Sequence, residues 1–482
     1  MFWRGVLGYL PVNIVQGLTG LLTIVVFTRV LAPADYGAYA LAFSVMTLVH
    51  TGVFTWLEAA MARFYAAEAQ AGRLPDHFAT LYRAWAVLAA VFPLIAGAIL
   101  WLWPLGASLK LAIAAGLATI LFRSLAKLAQ ERRRAAGDVR GAALLDMAQT
   151  AGGFLIGAAL ALLGWGGAAP LAGVGAAAAV CLLWALPTEL KRTRGGRLDR
   201  AQLRVYAVYG VPVSLSLIFA LILATTDRLL LAAFLDETSV GVYHAGYSLA
   251  NRTLDVLFIW LGMAGGPAAV AALEQGGPRA LAATARDQAS FMALIAIPAA
   301  VGLALVARPL ADVMVGEGLR AGAAQVTPWI AASALFAGFT TYYFHTAFTL
   351  ARRTHLLLLA MAIPAGLNLV LNLVMIPRFG LQGALWATTA SYALGLAASS
   401  LLGRRALVLP VPWGVLVRAG AAAAAMAAAV WVVPAWGGLV ELLAKAALGV
   451  AVYGLAAFAL DAGEARSRSL RLLRALQARR AA

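Results

Sequence analysis

One cysteine, Cys181, is all the chain has, and it sits in an apolar run. That excludes an intrachain disulfide and any cysteine metal cluster. Charge is scarce too: 12% of the 482 residues are charged, against 63% hydrophobic. A soluble chain of this size could not keep so much apolar surface from water. Short alternating strands are missing, which argues against a membrane β-barrel. The five histidines lack zinc-type spacing, so no metal site is expected. The glycine-rich "GEGLRAG", residues 316–322, follows no strand and does not read as a phosphate loop.

Apolar blocks of about twenty residues are abundant, long enough to cross a bilayer core of roughly 30 Å as helix. Helices satisfy their backbone internally, as lipid demands. The fold class expected is therefore an all-α polytopic membrane protein. Fourteen spans fit, near residues 8–30, 37–57, 84–103, 108–128, 142–163, 168–187, 207–233, 240–263, 288–307, 327–350, 356–376, 383–402, 413–433 and 441–460. The first begins after Arg4 and is too long for a cleaved signal peptide. With the N-terminus inside, cytoplasmic loops, tails and adjoining helix ends hold 30 of the 37 Lys and Arg. Five lie outside: Lys110, Arg308, Arg320, Arg378 and Lys445. Arg29 and Arg228 stand near the outer ends of spans. This asymmetry puts both termini in the cytoplasm and accounts for the net charge of +17 without nucleic acid.

"LAPADYGAYA", residues 31–40, has a counterpart in "LDETSVGVYHA", residues 235–245: Leu31, Gly37 and Tyr39 fall on Leu235, Gly241 and Tyr243. Pro11 and Pro212 open the preceding spans, Arg29 and Arg228 close them, and Phe54 and Phe258 hold matching places afterwards. Both halves run the same way, a parallel repeat of two six-span lobes that could rock about a central site. The glycine suits a tight turn and the tyrosine a membrane interface. The division expected is an N-terminal lobe over 1–190, a cytoplasmic linker over 191–206 and a C-terminal lobe over 207–403. Two further spans occupy 404–462, and a basic tail, 463–482, follows. In that tail Leu470, Leu473 and Leu476 have helical spacing, which suits a helix on the inner leaflet as well as a disordered segment.

"TRVLAPADYGAYALA" resembles the first-hairpin signature of polysaccharide flippases in the multidrug/oligosaccharidyl-lipid/polysaccharide (MOP) exporter superfamily. "MIPRFGLQGALWATTASY", residues 375–392, resembles the same family's turn between spans eleven and twelve, with Pro377, Gly380, Gly383, Ala384 and Ala387 in place. The resemblance implies two lobes in a V shape. It implies export of an undecaprenyl-diphosphate-linked oligosaccharide across the bacterial inner membrane, with no enzymatic step. The partners implied are the lipid-linked oligosaccharide, membrane lipids, and a polysaccharide polymerase and glycosyltransferases.

A diphosphate crossing lipid needs cations, and arginine grips phosphate bidentately. Charges inside a membrane are costly, so each is a candidate. Arg29 matches an arginine at a similar place in related peptidoglycan-precursor flippases; snorkelling to the interface is the alternative. Arg252, in "YSLANRTLDVLF", resembles a span-eight stretch of those relatives; a salt bridge to Asp255 is its alternative. His50 could hold phosphate, a proton or a helix carbonyl. Asn251, Asn368 and Asn372 offer amides to sugar hydroxyls or to neighbouring helices, as do Asn13, Gln16 and Gln149. Tyr342, Tyr343 and His345 form a polar aromatic patch.

Asp227, Arg228, Asp255 and Glu58 are candidates for coupling or gating. No cofactor is expected; proton and sodium coupling both remain open. Glu58, Arg63, Glu68, Arg73 and His77 read as a solvated amphipathic loop at the inner mouth, with a cytoplasmic gate as the other reading. Rival functions are a peptidoglycan-precursor flippase and a multidrug/cation antiporter of the same fold. A glycan ligase or polymerase fits less well, because the longest outer loop, 308–326, has no cluster of catalytic groups.

Overall fold

The computed structural model describes residues 2–464, 466 and 467. All regular secondary structure among them is helical. They form two compact units that divide between His244 and Ala245. Among the described residues ten helices are long and apolar enough to cross a membrane, or eleven if one bent pair counts as a span. The expected number of fourteen is therefore not established.

The first unit contains α1 (Phe2–Val30), α2 (Pro33–Val53), α3 (Thr55–Gln70), α4 (Leu74–Leu102), α5 (Ala107–Ala135), α6 (Val139–Leu162), α7 (Ala169–Arg192), α8 (Arg200–Phe234) and the opening turns of α9 (Glu237–Leu305). Proline in the first turn of α2, α4 and α7 suits helix starts, where its missing N–H costs no bond. Asp138 and Asp199 cap α6 and α8, accepting from Gly141 N at 2.9 Å and Gln202 N at 3.0 Å. α2 and α3 pack on α5 and α8, and α6 packs on α1 and α7. The axes of α2 and α3 bend by 47° at Phe54.

Two expectations are corrected here. Residues 55–70 are helix, not solvated loop, and Glu68 and His77 are buried because other helices cover them. The connection from α7 to α8 is the short segment 193–199, strapped onto the first turns of α4. Arg197 N donates to Asp76 Oδ1 at 2.7 Å, Asp199 N to Thr80 Oγ1 at 3.0 Å, and Arg83 Nη2 to Gly196 O at 3.3 Å. A Cβ on Gly196 would lie 2.1 Å from Pro75 O, so only glycine lets the strap approach this closely.

The second unit continues α9 and adds α10 (Ala307–Met314), α11 (Glu317–Phe339), a π-helical turn (Thr340–Phe344), α12 (His345–Leu350), α13 (Thr354–Ala406), α14 (Trp413–Trp431) and α15 (Gly438–Ala459). A straight helix as long as α9 would run about 100 Å, far beyond a bilayer core. It breaks at Gly277 (φ 67°), and α13 breaks at Gly380 (φ 59°), so each is two helices end to end. Left-handed φ favours glycine at both breaks. The expected outer loop over 308–326 is also corrected: it is mostly α10 and the start of α11, with Ala307, Pro309 and Ala311 buried. "GEGLRAG" begins at the N-cap of α11 and forms its first turns. α11 and α12 pack on α13, and α14 packs on α15. The expected tail helix at Leu470, Leu473 and Leu476 lies outside the described residues.

Candidate functional site

The repeated turns meet within the first unit. A Cβ built on Gly37 would lie 1.6 Å from Glu237 O, and one on Gly241 would lie 2.7 Å from Pro33 O. Each glycine thus faces the carbonyl four residues before its counterpart. The matched arginines behave alike: Arg29 Nη1 donates to Val25 O at 2.8 Å, and Arg228 Nη1 to Ala224 O at 2.7 Å. Arg29 is exposed, whereas Arg228 is buried. The matched tyrosines are buried, not interfacial as expected, because each is enclosed by the packed turns. Tyr243 OH donates to the fully buried Asp227 Oδ2 at 2.6 Å, and the Arg228 guanidinium stands 5.8 Å from the Tyr243 ring. Tyr36 and Tyr39 pack on His244 at 5.6 and 6.1 Å.

The bend at Phe54 turns Glu58 back toward His50. Eight residues along a straight helix span about 12 Å, yet His50 Nε2 and Glu58 Oε1 are 2.9 Å apart. His50 thus pairs with a carboxylate instead of a helix carbonyl. α5 presents Arg123, Lys127, Glu131 and Arg134 at spacings of four, four and three, a single stripe along the helix. Arg134 binds Glu131 at 2.8 Å and Asp146 of α6 at 3.3 Å. Arg123 feels the charges of Glu58 and Asp146, and Lys127 those of Asp146, Arg123, Arg134 and Glu58. Among the described residues neither Arg123 nor Lys127 has an ion-pair partner within 4.0 Å. The three carboxylates are each in contact with a base, while these two half-buried cations keep their donors uncommitted.

Sequence reasoning missed this stripe because it counted Arg123 and Lys127 with the inner helix ends. The signal was available: "FRSLAKLAQERRR", residues 122–134, repeats charge at helical spacing inside an apolar context. Farther along α5, Arg132 makes a two-point pair with Glu189 at 2.9 and 2.6 Å, and Tyr82 OH donates to the same carboxylate at 3.1 Å. All three are buried. Nearby α3, Glu68 accepts from Gln202 Nε2 at 2.8 Å and Arg73 Nε at 3.1 Å, while buried His77 bonds Tyr206 OH.

The second unit separates its candidates. Arg252 is exposed and forms no ion pair with Asp255. Asp255 instead accepts from Asn251 Nδ2, one helical turn earlier, so the salt-bridge alternative is corrected. Asn368 and Asn372 are fully buried, and Asn372 Nδ2 donates to Asn368 O at 2.9 Å. They face packed helices in this conformation, not open space. Phe258 stacks on Tyr342 at 6.1 Å, as Phe54 meets Phe92 at 5.9 Å in the first unit. Tyr343 OH donates to Pro410 O, and His345 Nε2 lies 3.3 Å from Ser399 Oγ. No group of three metal-ligating side chains occurs among the described residues.

A family model described as "Polysaccharide biosynthesis protein" matches residues 26–320, more than half of the chain. The chain belongs to that family. The matched region includes both repeated turns, the bend at Phe54 and the charged face of α5. No curated protein matches. Among solved structures, the lipid II flippase MurJ in an inward closed conformation aligns with a TM-score of 0.77 at 12% identity, over 93% of this chain and 98% of that one. An inward-facing multidrug resistance MATE family transporter of the MOP superfamily aligns at 0.67 with 16% identity, over 81% and 94%. A MOP superfamily transporter from Pyrococcus furiosus with a binding pocket of reverse polarity aligns at 0.51 with 15% identity, over 83% of this chain and 92% of that one. The chain shares its fold with these transporters, and it is a multi-pass membrane protein.

Proposed function

We propose that the protein flips an undecaprenyl-diphosphate-linked oligosaccharide across the bacterial inner membrane by alternating access. The observation that carries this reading is the pair Arg123 and Lys127, four residues apart on α5 and lacking ion-pair partners among the described residues. A diphosphate entering lipid must exchange water for other donors. Arginine offers a planar fork and lysine a point charge, a combination suited to two adjacent phosphates. In the formal count Glu58, Glu131 and Asp146 balance Arg123, Lys127 and Arg134, which makes the cluster tolerable inside a membrane. A substrate carrying its own negative charge would meet these two cations while the carboxylates stay with His50 and Arg134.

The Gly37–Gly241 contact holds the two repeated turns together, and alternating access would part them. The His50–Glu58 pair is the candidate for proton coupling, since two groups in contact at 2.9 Å can share a proton; sodium coupling is the competing scheme. Both termini lie in the cytoplasm in this reading, beside the glycosyltransferases that build the glycan, while a polymerase receives it on the other side. No resident cofactor takes part, and no catalytic residue is assigned.

A peptidoglycan-precursor flippase is the second reading, favoured by the extent of the MurJ alignment. Liposomes containing the purified chain distinguish these substrates. Accelerated inversion of an undecaprenyl-diphosphate oligosaccharide, with little effect on a lipid-linked peptidoglycan precursor, supports the proposal. The opposite preference supports the second reading. Movement of a cationic dye alone would overturn both and restore the antiporter.

A further inference from the structure

The second unit contains a cavity of about 730 Å³, within the size range of small-ligand sites. It lies among α9, α11, the π-helical turn, α13, α14 and the 407–412 connection. The π-helical turn shapes one wall. A π-turn displaces the side chains after it, and such turns recur at functional sites. Here it places Tyr343 in the wall with its hydroxyl committed to Pro410 O, while Gln288 Nε2 donates to Tyr342 O at 3.1 Å. The Tyr343 hydroxyl and the Tyr342 carbonyl are thus occupied, and the cavity is lined by side chains such as Phe336, Phe339, Leu396 and Ala397.

One cation lines this apolar space. Arg404 is exposed and has no ion-pair partner within 4.0 Å among the described residues. More positive charge stands around it. Arg405 is adjacent, Arg353 donates to Arg405 O, and Arg286 acts electrostatically on the Tyr343 hydroxyl. Asp287 is the acid beside Arg286, and among the described residues no carboxylate, Asn or Gln lines the cavity. An occupant with a long apolar chain and an anionic head fits this arrangement. A glycan does not, because the walls lack the amides and carboxylates its hydroxyls would require.

We propose that this cavity holds one acyl chain of a resident anionic phospholipid, with the lipid phosphate on Arg404. Basic helix ends favour the anionic lipids of the cytoplasmic leaflet, and a phosphate gains charge-assisted bonds from arginine. The phospholipid is distinct from anything the protein transports, so the claim stands apart from the flippase reading.

Thermal melting of the purified full chain in detergent, with native mass spectrometry of retained lipid, tests this. Phosphatidylglycerol should raise the melting temperature and remain bound in the spectrometer; phosphatidylethanolamine should do neither to the same extent. Arg404→Gln should weaken phosphatidylglycerol retention about tenfold, the scale of one charge-assisted contact. Arg404→Lys should recover part of it, and Ala397→Phe should exclude the chain while Arg404 remains. Equal retention by wild type, Arg404→Gln and Ala397→Phe would overturn the site. So would retention of undecaprenyl phosphate but not phosphatidylglycerol, which would assign the cavity to the transported lipid.

Discussion

Gly37 and Gly241 stand against one another so closely that a methyl on either would press into the backbone opposite, 1.6 Å from Glu237 O or 2.7 Å from Pro33 O. Gly37→Ala should therefore hold the two turns apart. Overpacking of this kind costs about 1–3 kcal/mol, enough to lower the closed population roughly tenfold. Cysteines at the exposed positions Ala34 and Thr238, in a Cys181→Ala background, report the change through crosslinking rate. Gly37→Ala should slow crosslinking and reduce export. An unchanged rate would mean the contact yields without parting the turns.

Arg252 is exposed and unpaired with Asp255. If it guides the diphosphate, Arg252→Ala should abolish polysaccharide export while membrane levels stay normal. Arg252→Lys should retain part of the activity, keeping the charge but losing the planar fork. Normal export by Arg252→Ala removes it from the site.

Arg132, Glu189 and Tyr82 form a buried knot. Arg132→Ala leaves Glu189 without its two-point partner, which for a buried pair costs about 3–5 kcal/mol. Melting in detergent should show that loss. Combining Arg132→Met with Glu189→Leu should recover part of it, the remainder being the buried Arg133 that loses Glu189, 3.7 Å away. A double variant as unstable as Arg132→Ala would assign the loss to packing.

Orientation is open to a direct check. A reporter fused after Arg194 should be active only in its cytoplasmic form, and one after Asp236 only in its periplasmic form. Reversed signals would place Arg123 and the paired turns on the wrong sides for the proposed direction of transport.

The helices were legible because apolar length and proline position are local signals. α5 begins within one residue of its expected start, and Gly380 breaks α13 inside the quoted motif. The repeat was legible as spacing, although its meaning was not. Tyr39 and Tyr243 read as interfacial residues because sequence carries no trace of the partner helix that buries them. Glu68 and His77 looked solvated for the same reason: their partners Gln202 and Tyr206 lie more than a hundred residues away. Glu58 stood beside His50 only once a 47° bend joined them. Arg123 and Lys127 were hidden differently, since a topology count treats every basic residue near a helix end as a signpost.

The flipping rate of Arg123→Ala, Lys127→Ala and the double variant bears most directly on the central claim. Each protein is reconstituted at matched density in liposomes containing a fluorescent undecaprenyl-diphosphate oligosaccharide, and inversion is followed by quenching from outside. Each single variant should slow inversion at least about tenfold, as loss of one charge-assisted phosphate contact implies. The double variant should approach protein-free liposomes while melting like wild type. Arg123→Lys should fall between Arg123→Ala and the native chain. Wild-type rates in the folded double variant would contradict the account, because the diphosphate would then cross without the cations assigned to it.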